Sequence, residues 1–64
     1  GIKWYQKAAE NNNSRAQAIV GLAYMGGIGV KQNFATAKKW FGKACDNKEQ
    51  KGCEMYKQLN QGIK

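Results

Sequence analysis

Lys3-Trp4-Tyr5-Gln6-Lys7-Ala8-Ala9 returns as Lys39-Trp40-Phe41-Gly42-Lys43-Ala44-Cys45, an offset of 36 residues from Trp4 to Trp40. In each copy an aromatic pair is followed one helical turn later by small residues, a pattern that lets amphipathic helices pack closely. A period of this length belongs to solenoids made of helix pairs, in which no unit buries its apolar face alone. The echo predicts an all-α repeat architecture with Trp4, Tyr5, Trp40 and Phe41 in the core. It also predicts a function carried by a surface rather than by a catalytic pocket.

The remaining sequence divides into four helical segments. The first runs from about Gly1 to Ala9 and is broken by Glu10-Asn11-Asn12-Asn13, because asparagine favours turns and local bonds to the backbone. Ser14 and Gln17 have the spacing of a capping box, so a second helix is expected from Ser14 through Ala16, Ile19, Val20, Ala23 and Tyr24. Gly26-Gly27 stops it, since glycine readily takes the left-handed conformation of a helix end. The run Gly26-Gly27-Ile28-Gly29-Val30 follows a helix rather than a strand, which argues against a phosphate loop. It reads as a tight turn whose Ile28 and Val30 plug the core. Asn33 is the expected cap of a third helix, with Phe34, Ala37, Trp40, Phe41, Ala44 and Cys45 on one stripe and Lys38, Lys39 and Lys43 facing water. After Asp46-Asn47-Lys48-Glu49 a fourth helix carries Cys53, Tyr56 and Leu59 and ends near Gly62.

With 64 residues the chain forms at most one small domain. A domain of that size buries only about 60% of its unfolded surface and needs a disulfide, neighbouring repeats or a partner for stability. The absence of proline permits uninterrupted helices. No apolar run approaches the roughly 18 residues of a membrane span. Eleven basic against four acidic residues give a net charge of +7, which favours partners with an acidic surface. The lysines are spread along the chain and no nucleic-acid motif accompanies them, so they read as a solvated face and not as a nucleic-acid site.

Trp4-Tyr5-Gln6-Lys7-Ala8-Ala9-Glu10, Ala16-Gln17 with Gly21 and Tyr24, Gly27-Ile28-Gly29-Val30, and Asn33-Phe34-Ala35-Thr36-Ala37-Lys38-Lys39-Trp40-Phe41 together resemble the Sel-1-like repeat, a relative of the tetratricopeptide repeat. The resemblance implies antiparallel helix pairs stacked into a right-handed α-solenoid, here one full repeat flanked by half repeats. Residues 1–64 are then expected to be a single repeat segment, a fragment or C-terminal part of a longer repeat protein. Lys57 departs from the pattern, because it stands where the 36-residue offset from Gly21 calls for a small residue. Family members act as adaptors in protein assembly, signalling and bacterial interactions with hosts. The resemblance thus implies a protein–protein interaction module, with three alternatives: an immunity or inhibitor protein acting on a toxin or enzyme, a structural capping repeat, and a β-lactam-binding protein. It implies no cofactor and leaves room for self-association through open repeat ends.

Cys45 and Cys53 are the only cysteines. On one continuous helix they would lie roughly 12 Å apart, beyond the about 4.4–6.8 Å between α-carbons that a disulfide spans. The turn at residues 46–49 removes that obstacle. A bridge would close a loop of about nine residues, worth roughly 2.5 kcal/mol on the chain-entropy relation. Two buried free thiols are the alternative, while a structural zinc would need two more ligands. The Cys-x7-Cys spacing across a helical hairpin resembles a cysteine-rich subgroup of these repeats in secreted bacterial proteins. That resemblance implies a disulfide and a periplasmic or secreted location.

Nothing in the sequence assembles an active site. There is no histidine to serve as base, and no Ser-x-x-Lys motif to support β-lactam chemistry. Glu10 and Asp46, one repeat apart, are expected to bond to turn amides. In a tetratricopeptide-like arrangement the second and fourth helices line the concave face. The candidate partner-binding residues there are Arg15, Ile19, Leu22, Met25, Lys51, Met55 and Gln58: apolar anchors with a cationic rim, suited to an acidic peptide, helix or loop.

Overall fold

A computed structural model describes residues 2–61 as four α-helices: α1 Ile2–Glu10, α2 Ser14–Gly26, α3 Phe34–Asp46 and α4 Gln50–Asn60. Gly1 and Gly62, where the first and last helices were expected to begin and end, lie outside the described residues.

The 36-residue echo of the sequence is also an echo of the backbone. In the α1–α2 turn the Asn11 amide donates to the carbonyls of Lys7 and Ala8, the Asn12 amide to Ala9, and the Asn13 amide to Ala8. In the α3–α4 turn Asn47 donates to Lys43 and Ala44, Lys48 to Cys45, and Glu49 to Ala44. Asn12 and Lys48 hold the same left-handed conformation, at φ 67° and 66°. The carbonyls therefore satisfy the turn amides, and the acids Glu10 and Asp46 are not used for it as the sequence had suggested.

The cap of α2 lies one residue earlier than the Ser14–Gln17 box predicts. Asn13 is extended, and its Oδ1 accepts from the Ala16 amide at 3.0 Å. Gln17 is free of capping and instead lies buried. Asn33 caps α3 as expected, its Oδ1 accepting from the Thr36 amide at 3.0 Å. Between the two helices Gly27 takes φ 67° at the end of α2, where the amides of Gly27 and Ile28 both donate to the Ala23 carbonyl. The Asn33 amide returns to the Tyr24 carbonyl at 2.8 Å, closing the loop against the helix it left.

Packing is sequential, α1 on α2, α2 on α3 and α3 on α4, and α2 also meets α4. Among the described residues α1 and α3 make no backbone contact. The helices α2 and α4, the first of their respective units, therefore lie side by side in a slab 13 Å thick. The core is built mainly from alanine, with Ala9, Ala16, Ala18, Ala23, Ala37 and Ala44 buried beside Val20 and Phe41. Small side chains let the helix axes approach, and glycine carries this furthest. A Cβ on Gly21 would lie 2.8 Å from the Phe41 ring, and one on Gly52 2.5 Å from the Ala44 Cβ.

The two aromatic pairs do not share one environment. Phe41 is fully buried and Trp40 packs half-buried on the Ala9, Ala16 and Val20 cluster. Trp4 and Tyr5, expected in the core, are 78% and 46% exposed. The helix that covers Trp40 and Phe41 is α2, and no described element stands in that relation to α1. Ile28 is likewise 67% exposed rather than plugging the core, whereas Val30 is half-buried. Phe34, expected on the buried stripe of α3, is 52% exposed at the start of that helix. Lys38 is half-buried, its Nζ 5.6 Å from the centre of the Tyr56 ring.

Candidate protein-interaction surface

The residues proposed to bind a partner fall into two groups. Arg15 and Ile19 lie early on α2, exposed, in a hollow they share with Trp4, Tyr5, Ala8, Asn13 and Ala16. This hollow is walled by α1 and not by α4. Leu22 and Met25, further along α2, are half-buried, as is Met55 on α4, while Lys51 and Gln58 are exposed. The contact between α2 and α4 brings the two first-type helices side by side.

The helix spacing explains this distribution. Val20, Gly21 and Ala23 turn inward toward α3 and α1, so residues between them emerge at the flanks. Ile19 joins Ile2, Tyr5, Ala23, Ile28 and Gly29 in a second, strongly apolar groove at the same end of the slab. Ile19 therefore serves the junction of α1 and α2 as much as the side shared by α2 and α4.

Two side-chain linkages hold this surface in place, and they occupy matching positions. Cys45 and Cys53 form a disulfide with α-carbons 4.4 Å apart, joining the end of α3 to the first turn of α4. Thirty-six residues earlier the same places hold Ala9 and Gln17, where Gln17 Nε2 donates to the Ala9 carbonyl at 3.0 Å. Gln17 Oε1 accepts from Asn47 Nδ2, also at 3.0 Å, so one buried amide ties the first turn to the second. Its burial, at 1% exposure, is tolerated because both ends of the amide are bonded. Sequence reasoning missed this role. Its available signal was that Gln17 falls at the position of Cys53 in the repeat.

Of the described basic side chains Lys38 is half-buried and the others are exposed. Lys43 Nζ sits 5.0 Å from the centre of the Trp40 ring, a cation–π contact on the α3 side. Among the described residues no three His, Cys, Asp or Glu side chains gather as metal ligands. None of the described helices is long and apolar enough to cross a membrane.

Comparison with known proteins matches the sequence over parts of its length. An uncharacterized protein of Haemophilus influenzae is 47% identical over 32 residues, which cover half of this chain and 62% of that protein's length. No solved structure matches the chain. The family model described as Sel1 repeat matches residues 1–13 and 14–49, dividing the chain at the Asn13 cap. Helix α1 thus closes one unit, α2 and α3 form a complete one, and α4 lies beyond the matched residues. On sequence and architecture together, the chain belongs to the Sel1 repeat family.

Proposed function

We propose that this segment binds an acidic protein surface along α2 and α4, with Leu22, Met25 and Met55 as apolar anchors, Lys51 and Gln58 as the polar rim, and Ile19 and Arg15 extending the surface along α2 toward α1. Sel1 repeats mediate protein–protein interaction, and the observation that carries this reading is the incomplete burial of Leu22, Met25 and Met55. Apolar side chains at the edge of a packed layer, bordered by cations, supply anchor and steering in one surface. The chain's charge of +7 favours the encounter with an acidic partner. The Cys45–Cys53 disulfide supports an oxidising compartment, which makes the periplasm or the cell exterior the expected setting and agrees with the secreted, cysteine-rich subgroup.

The test is a pull-down from a cell extract, comparing the native chain with Arg15→Ala combined with Leu22→Ala. Neither residue is fully buried, so helical content by circular dichroism should be retained. Loss of a protein captured by the native chain supports the surface. Equal capture by the variant rejects it.

A further inference from the structure

The turn between α1 and α2 holds a motif that neither the fold nor the partner surface uses. Of the six asparagines only Asn12 has a hydroxyl residue two positions on, and that residue, Ser14, is the chain's one serine. Asn12-Asn13-Ser14 is an acceptor sequence for N-linked glycosylation, with no proline between its ends. Glu10, two positions before Asn12, supplies the acid that lengthens this motif in bacterial acceptors. Asn12 is exposed where the chain reverses. Capping of α2 falls to Asn13, so neither the Asn12 amide nor the Ser14 hydroxyl is committed to it. Nor does the turn call for asparagine at residue 12, since Lys48 holds the same left-handed conformation, at φ 66° against 67°. The matching triplet of the second turn, Lys48-Glu49-Gln50, has neither the asparagine nor the hydroxyl, so the motif is not a copy of the repeat pattern.

We propose that Asn12 is an N-glycosylation site, accepting an oligosaccharide from a polyprenyl pyrophosphate donor. The inference rests on the exported setting read from the disulfide and is independent of the α2 and α4 surface. In the transfer Asn12 Nδ2 forms a bond to the anomeric carbon of the first sugar while the bond from that carbon to the donor's phosphate oxygen breaks. The polyprenyl pyrophosphate leaves with the electron pair, and the amide proton passes to a carboxylate of the transferase. Opening the turn for the transferase breaks the bonds of the Asn12 and Asn13 amides to Ala9 and Ala8, together with the Asn13 cap. The glycan then stands at the tip of the hairpin, beside the polar hollow that Asn12 shares with Lys43, Asp46 and Asn47.

The test is transfer in vitro, from a lipid-linked oligosaccharide by a purified bacterial oligosaccharyltransferase, to the disulfide-bonded chain and to the reduced, alkylated one. Intact mass should show a single glycan per chain, and trypsin, cutting after Lys7 and Arg15, should release it on residues 8–15. Asn12→Gln and Ser14→Ala should abolish transfer, Ser14→Thr should retain it, and Glu10→Gln should slow it several-fold. Ser14→Ala keeps the Asn13 cap, so its loss of transfer is not a loss of fold. The proposal is overturned if neither form of the native chain is modified, or if Asn12→Gln still gains the glycan. Cell fractionation with thiol alkylation reads the setting separately. A reduced chain in the cytoplasm overturns the exported setting and with it modification in the cell, whereas failure of transfer in vitro overturns the acceptor alone.

Discussion

Gly52→Ala tests whether the close approach of α3 and α4 depends on a missing side chain. The new Cβ would stand 2.5 Å from the Ala44 Cβ and 3.0 Å from both the Cys45 amide nitrogen and the Phe41 carbonyl oxygen. Two of these three atoms are helix backbone, so no rotamer change relieves the overlap. The helices would have to part by about 1 Å to restore ordinary contact, and the adjacent Cys45–Cys53 bridge resists that movement. Overpacking costs of about 1–3 kcal/mol apply, and the rigid surroundings place this site at the upper end. Alanine's greater helix propensity offsets at most about 1 kcal/mol, leaving a net loss of roughly 2 kcal/mol. A chain of this length has about 3–10 kcal/mol in total, so the loss should lower the melting temperature by about 8–16 °C. Circular dichroism at 222 nm during heating and in urea reads both quantities. Gly42→Ala is the internal control, because its Cβ would meet only the edge of the Tyr56 ring, at 3.1 Å, and that half-exposed side chain can swing aside. The control should be neutral or slightly stabilising. The reasoning is refuted if Gly52→Ala melts at or above the native temperature, or if both substitutions cost the same.

Three further variants test the repeated turn. Replacing Ala9 and Gln17 by cysteine should create a second disulfide at the positions matching Cys45 and Cys53, detected by thiol alkylation with and without reductant. Free thiols in the folded, air-oxidised variant would show that the two hairpins differ more than their hydrogen bonds indicate. Asn13→Ala should cost about 1 kcal/mol by removing the cap on α2. Ser14→Ala should stay within about 0.5 kcal/mol of the native chain, and urea midpoints in the reverse order would restore Ser14 as the cap.

The helices were legible because their punctuation is local. Gly27 and Asn33 each act through their own backbone or a side-chain bond to an amide three residues on, so their roles can be read without knowledge of what packs nearby. The disulfide was legible for a related reason: a short polar turn brings Cys45 and Cys53 together. Burial of Trp4 and Tyr5 was not, because amphipathic pattern reports which face seeks cover and not whether a helix covers it. Trp4 and Trp40 carry the same signal and meet different surroundings. Gln17 shows the converse. A polar residue in a helical stretch reads as exposed or capping, and only the meeting of two turns 30 positions apart, with Asn47 against Gln17, reveals a buried bridge.

That bridge gives the disulfide a meaning beyond the stability it adds. Gln17 fastens its own hairpin through Ala9 and at the same time grips Asn47 of the following turn, so the α1–α2 hairpin is secured partly by the next unit. At the matching position Cys53 bonds only backward, to Cys45. The α4 helix also has a poorer start than α2: Glu49 makes no side-chain capping bond where Asn13 does. A covalent link at that point holds α4 without a polar group having to reach onward, because a closed disulfide leaves no donor or acceptor to satisfy. The relay of side-chain bonds from turn to turn thus ends in a bond that is complete within its own hairpin. Lys57, where the 36-residue offset from Gly21 calls for a small residue, marks the same helix as a departure from the repeat pattern.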